Sequence, residues 1–112
     1  AEWAWGAAFL DVDLDGWEDL LVTNGQERAA RDADVAKELQ QFRAGGRRSD
    51  AEIFAERRKF PRLAWPNLAF RNDGTGRFRE TGAEWGFDFH GVSHGLAFAD
   101  LDGDGDLDLL VN

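Results

Sequence analysis

Cysteine is absent from the 112 residues, which excludes disulfides and thiolate metal sites. Methionine is absent as well, even at the first position, so the sequence reads as a piece of a longer protein or a trimmed chain, and the lack of a signal peptide then says little about export. No apolar run is long enough to cross a bilayer. Positive charge is scarce outside one segment: residues 27–62 hold ten of the 13 Lys/Arg, against seven acids, and the rest of the chain sets three bases against fifteen acids. Residues 27–62 are therefore net +3 and the rest of the chain net −12, within a formal charge of −9. That balance argues against nucleic acid, because phosphate binding needs a concentrated basic face. The length allows one small domain at most.

What the chain has in quantity is carboxylate, and ten of those fifteen acids fall in two loops. The first reads Asp11-Val-Asp13-Leu-Asp15-Gly16-Trp17-Glu18-Asp19, the second Asp100-Leu-Asp102-Gly-Asp104-Gly105-Asp106-Leu-Asp108. Both fit D-x-D-x-D-G-x-x-D. Carboxylates at two-residue spacing repel one another unless a hard cation lies among them, and Ca²⁺ accepts six to eight oxygens at about 2.3–2.6 Å. Spacing predicts side-chain ligation by Asp11, Asp13 and Asp15, a turn at Gly16, a main-chain oxygen from Trp17, and closure by Asp19. The second set is Asp100, Asp102, Asp104, Gly105, the carbonyl of Asp106, and Asp108. Two Ca²⁺ ions would cancel four negative charges. Mg²⁺ suits the loops less, since it demands a tight octahedron and keeps its water. An acidic turn without an ion is the plain alternative. A catalytic metal is disfavoured because such sites keep an open position, whereas these ligands fill the sphere.

An EF-hand needs flanking helices and a Glu at loop position twelve. That position is Val22 in one copy and Val111 in the other, and the last acid comes at position nine. Short apolar runs flank both loops: Trp5-Gly-Ala-Ala-Phe9-Leu10 and Leu20-Leu-Val-Thr-Asn24 around the first, His94-Gly-Leu-Ala-Phe98-Ala99 and Leu109-Leu-Val-Asn112 around the second. They predict a strand–loop–strand hairpin repeated at an offset of 89 residues. Between the copies, Asn67-Leu-Ala-Phe-Arg-Asn72 and Arg77-Phe-Arg-Glu80 flank Asp73-Gly-Thr-Gly76, which is hairpin chemistry. One unit of four strands follows, near 5–11, 19–24, 67–72 and 77–81, with a second unit starting near Val92.

Residues 27–60 depart from this pattern. Val35, Leu39 and Phe42 have helical spacing ended by Gly45-Gly46. Ser49-Asp-Ala-Glu52 is a capping box for a second helix that turns Ile53, Phe54 and Phe60 toward a core, closed by Pro61 and Pro66. The segment reads as a helical insertion, with a partly ordered charged excursion as the alternative.

Gly6 to Trp17, Asn67 to Phe78 and Ser93 to Asn112 resemble the FG-GAP/VCBS repeats of integrin-α-like β-propellers, most closely the ASPIC/UnbV group that includes cartilage acidic protein. The resemblance covers nearly everything outside 27–62. It implies a mainly β fold of about one and a half four-stranded antiparallel blades with calcium hairpin loops, plus the two-helix insertion. The first blade would take 1–26 and 65–91, the insertion 27–64, and the second blade would start over 92–112. It also implies two Ca²⁺ sites and a secreted, periplasmic or cell-surface setting. A propeller needs at least four blades, so the remainder would come from a longer parent chain or from homo-oligomerisation.

Three functions remain in view. A binding or adhesion scaffold for a protein or glycan, with structural calcium, leads. A propeller-based hydrolase or lyase acting on polysaccharide would need a polar cluster near His90 or His94, and no nucleophile constellation accompanies either. A passive repeat module of a larger secreted protein is the third. Trp3, Trp5, Trp65 and Trp85 read as inter-blade core, with a sugar platform as the rival, while Trp17 reads as exposed. The Arg47-Arg48 and Arg57-Arg58-Lys59 clusters read as solvated helix faces, with a partner patch as the sharper alternative.

Overall fold

The computed structural model describes residues 3–26 and 33–112. The chain divides into two compact units, Ala1–Gly25 with Ala64–Asn112, and Gln26–Leu63.

The first unit is built from antiparallel β-structure. Strands β1 (Ala4–Leu10), β2 (Asp19–Asn24), β4 (Leu68–Asn72) and β5 (Phe78–Glu80) form one sheet in that order. Because neighbours in the sheet follow one another along the chain, it is a simple meander, interrupted only by the second unit and the short β3 (Trp65–Pro66). Leu10 pairs with Asp19 and Ala8 with Leu21 across the first loop, and Leu21 in turn faces Ala69. Along β2 the alternation of a half-buried strand puts Asp19, Leu21 and Thr23 on the covered face. Strand β3 pairs with β6 (His90–Gly91) as a two-stranded ribbon, and β7 (Leu96–Ala99) pairs with β8 (Asp108–Val111) around the second loop. The repeat predicted from sequence is thus present as two hairpins of the same kind.

The core is small and largely polar. Leu21 and Ala69 are its buried apolar residues in this unit, beside the buried Asp19, Thr23, Asn24, Asn67, Thr81 and Ser93. These polar groups are paired. The Asn24 N–H donates to Asn67 Oδ1 at 3.0 Å, the Asn24 amide to the Pro66 carbonyl at 3.2 Å, and the Ser93 N–H to the Asn24 carbonyl at 2.9 Å. Thr23 Oγ1 accepts from Gly6 N–H at 2.9 Å and lies 3.0 Å from the His94 carbonyl. A Cβ on Gly6 would lie 2.9 Å from that hydroxyl, so the close approach requires glycine. Of the four tryptophans read as inter-blade core, Trp3, Trp65 and Trp85 are half-buried and Trp5 is 49% exposed. A sheet buries its large side chains only against a second layer, and among the described residues no second full sheet covers this one.

The second unit holds α1 (Ala33–Ala44) and α2 (Asp50–Arg57). Leu39 is buried and Val35 and Phe42 partly so, which is the predicted stripe. The capping box forms as read, with the Glu52 N–H donating to Ser49 Oγ and the Ser49 N–H donating to the Glu52 carboxylate at 2.8 Å. Phe54, expected to face a core, is instead 58% exposed, under the Arg58 guanidinium 4.8 Å from the ring centre. A helix of eight residues buries only a narrow stripe: Ile53 on it is half-buried, as is Phe60 just beyond the helix end. Residues 27–32 of the predicted insertion lie outside the described residues. No described helix is long and apolar enough to cross a membrane.

Candidate metal centre

Each acidic loop joins two strands of a hairpin, so its ends are held one strand spacing apart by the pairs Leu10–Asp19 and Ala99–Asp108. Between those pairs the chain must reverse sharply. Gly16 and Gly105 do this at φ of 93° and 97°, a conformation that side chains resist. Loop position four also lies in the left-handed region in both copies, as Gly103 at 79° in the second and as Leu14 at 58° in the first.

The turn draws carboxylates together. One oxygen from each of Asp11, Asp13 and Asp15 lies within 4.8 Å of the others, and the same holds for Asp100, Asp102 and Asp108. Two oxygens on opposite sides of one Ca²⁺ are about 4.6–5.2 Å apart, so both groups have the span of a single hard-cation sphere. The donor set, all carboxylate oxygen, suits that cation class.

Backbone N–H groups hold these side chains in place, in matching ways. Asp11 accepts from Asp15 N–H at 3.0 Å and Gly16 N–H at 2.8 Å; Asp100 accepts from Gly103 N–H at 2.7 Å and Gly105 N–H at 3.2 Å. Asp15 accepts from Trp17 N–H at 3.0 Å as Asp104 does from Asp106 N–H at 3.1 Å. The Trp17 bond and the neighbouring Arg71 hold the Asp15 carboxyl below its ordinary range. In the second loop Asp106 is pushed up by the Asp104 carboxylate beside it, and Asp108 and Asp102 act in the same direction.

The loops diverge at position nine. Asp19 is fully buried, and its two oxygens accept Val12 N–H at 3.0 Å and Asn72 N–H at 2.8 Å. Asp108 is partly exposed and accepts Leu101 N–H at 2.8 Å through one oxygen. Asp108 therefore joins its carboxylate cluster, while Asp19 ties its loop to β4. Asp104 and Asp106 lie beside, not within, the second cluster. Trp17 is 53% exposed, as read from its place in the loop, and its indole lies over the β4–β5 turn, where a Cβ on Gly74 would come 2.6 Å from Nε1.

Sequence reasoning missed Arg71. This β4 residue places Nε 2.6 Å from Asp13 Oδ2 and an Nη 3.0 Å from Asp15 Oδ2. The Nε–H is not aimed at a partner, so its contact with Asp13 is a charge contact, not a directed hydrogen bond. No local signal marks it: only sheet order, with Leu20 paired to Phe70, sets Arg71 beside the loop end. The histidines do not join a cluster of this kind. His90 is exposed in β6, and the His94 ring stands against Trp5 with centroids 4.9 Å apart.

Comparison with known proteins adds one finding. No curated protein and no solved structure gives a significant match, but the family model described as FG-GAP-like repeat matches residues 53–111. The matched stretch is a little over half of the chain and contains the β4–β5 hairpin and the second acidic loop, while the first loop repeats the pattern outside it. On that match, the chain belongs to the FG-GAP-like repeat family.

Proposed function

We propose that the chain is a calcium-stabilised part of a β-propeller of the ASPIC/UnbV type, acting as a binding or adhesion scaffold for a protein or glycan outside the cytoplasm. One observation carries this reading: two loops at equivalent places in two hairpins each gather three carboxylate oxygens within 4.8 Å. Two such clusters in one small chain are costly without cations, since like charges this close repel. The four-stranded meander then corresponds to a first blade over 1–26 and 65–91, the helical unit to an insertion over 27–64, and the β7–β8 hairpin to the start of a second blade over 92–112. Further blades come from a longer parent chain or from other copies.

Each ion takes the side chains that the turn gathers, Asp11, Asp13 and Asp15 in the first loop and Asp100, Asp102 and Asp108 in the second, with carbonyls at Trp17 and Asp106. Asp104 stands ready beside the second sphere, while Asp19, whose two oxygens accept the Val12 and Asn72 N–H groups, braces the first loop against β4. The ion stabilises by binding the folded state alone, about 0.4–1.4 kcal/mol per site at about one to ten times Kd. Exposed loops of this kind fit the weak range of extracellular calcium modules, about 10⁻⁴–10⁻³ M. Thermal unfolding in millimolar Ca²⁺ and in excess chelator tests the proposal, with Mg²⁺ as control. The midpoint is expected to rise with Ca²⁺ and much less with Mg²⁺; coincident curves in Ca²⁺ and chelator would remove the structural role.

A further inference from the structure

The two acidic loops have the same sequence pattern but different electrostatic settings. In the first, a guanidinium already sits where two carboxylates converge: Arg71 touches Asp13 and Asp15 at 2.6 and 3.0 Å. In the second, among the described residues, no Lys or Arg pairs with any of the five aspartates, and the charges acting on Asp106 are other carboxylates. The first loop is also tied to β4 by Asp19 and by the Asn72 amide, which donates to the Glu18 carbonyl at 3.1 Å. Among the described residues no neighbouring strand ties the second loop in this way; Asp108 accepts from Leu101 N–H within the loop.

We infer that Arg71 is a resident counter-cation of the first loop: it holds Asp13 and Asp15 together when no metal is bound, and it opposes entry of Ca²⁺. The inference rests on the calcium reading above and deepens it, because it makes the two sites unequal. A guanidinium is a large, weakly hydrated cation that can pair with two carboxylates at once. It offsets one charge and leaves the cluster anionic, so a doubly charged ion still gains by binding, but less. A unit charge held a few ångströms from a divalent ion in a water-like dielectric weakens that ion's binding about tenfold. Moving Arg71 off Asp13 costs no aligned hydrogen bond, whereas leaving Asp15 gives up the Nη bond at 3.0 Å. The second loop, with no such partner, fills first. The first loop stays ordered without metal and loads only when calcium is higher.

Calorimetric titration of the whole chain with CaCl₂ tests this. Asp100→Asn with Asp102→Asn silences the second loop, and Arg71→Gln is then added to that background. Arg71→Gln is expected to tighten the first site about tenfold, and Arg71→Lys, which keeps the charge, to tighten it much less. In chelator, Arg71→Gln is expected to lower the urea midpoint. An unchanged or weaker first site in Arg71→Gln would overturn the inference, as would equal tightening by Gln and Lys. Far-UV circular dichroism confirms that each variant is folded; should Arg71→Gln not fold even in millimolar calcium, Arg71→Lys against wild type decides, and a first site tightened tenfold by Lys refutes the charge argument. Absence of any calcium binding in the wild-type chain is a separate outcome: it removes the calcium reading itself, and this inference with it.

Discussion

Removing the Asp19 side chain should damage the protein far more than removing Asp108, although the two occupy the same position of the same motif. Asp19 is fully buried, and its two oxygens are the partners of the Val12 and Asn72 N–H groups at 3.0 and 2.8 Å. Those bonds join the loop to its own start and to β4. Hydrogen bonds to a charged group contribute about 1.5–3 kcal/mol each, and a buried donor left without a partner bears its full desolvation cost. Asp19→Ala loses both, a cost of about 3–5 kcal/mol. Asp108→Ala loses one bond, to Leu101 N–H, at a partly exposed site where water replaces it, a cost of about 1 kcal/mol. Asp19→Asn keeps one carbonyl oxygen and turns an amide toward the second N–H, so it should fall between. Against a total of about 5–15 kcal/mol for a domain, the Asp19→Ala loss is large enough to leave the variant partly unfolded, and Asp19→Asn gives the measurable step. The assay is urea unfolding in chelator, which separates the structural role from any metal. All five tryptophans lie in the β-unit, so their fluorescence reports that unit alone. Equal losses for Asp19→Ala and Asp108→Ala would refute the argument that β4 pairing, and not the motif, sets the role of position nine.

Other expectations follow from loop and helix geometry. Leu14 holds a left-handed conformation at φ 58° with its side chain 73% exposed, where the second copy has Gly103; Leu14→Gly relieves about 1–2 kcal/mol of strain, less about 0.5–1 for glycine's entropy, so the urea midpoint should rise slightly. The Glu52 carboxyl is held below its ordinary range by the Ser49 N–H and hydroxyl, with Arg48 adding to it. A depressed carboxylate contributes stability above its unfolded pKa and loses it as pH falls through the folded one. Helix content from α2 should therefore drop on acidification below about pH 4, and Ser49→Ala should remove that dependence together with about 1 kcal/mol of capping.

The hairpins and helices were legible because their signals are local. A loop bounded by apolar runs, an Asp-Gly turn and a Ser-x-x-Glu box each bind their own neighbours, and each formed where expected. What was not legible depends on contacts distant in sequence. The β3–β6 ribbon pairs two residues with two others some 25 positions away, too short for any periodicity to announce it. Arg71 reads as an ordinary strand residue until sheet order sets it beside a loop 56 residues earlier. The division of labour at position nine has the same origin: Asp19 and Asp108 look alike in sequence, and only the presence of β4 beside the first hairpin distinguishes them. Hydrophobicity points Phe54, Trp3, Trp5, Trp65 and Trp85 toward a core but carries no sign of whether a second layer is there to cover them.

The central claim is that the two carboxylate clusters are calcium sites. Equilibrium dialysis of the chain against Ca²⁺ raised until binding saturates, with bound metal counted per chain, tests it most directly. Two ions per chain are expected, falling to one when Asp100 and Asp102 are changed to Asn. A chain that retains no calcium over that range would contradict the account.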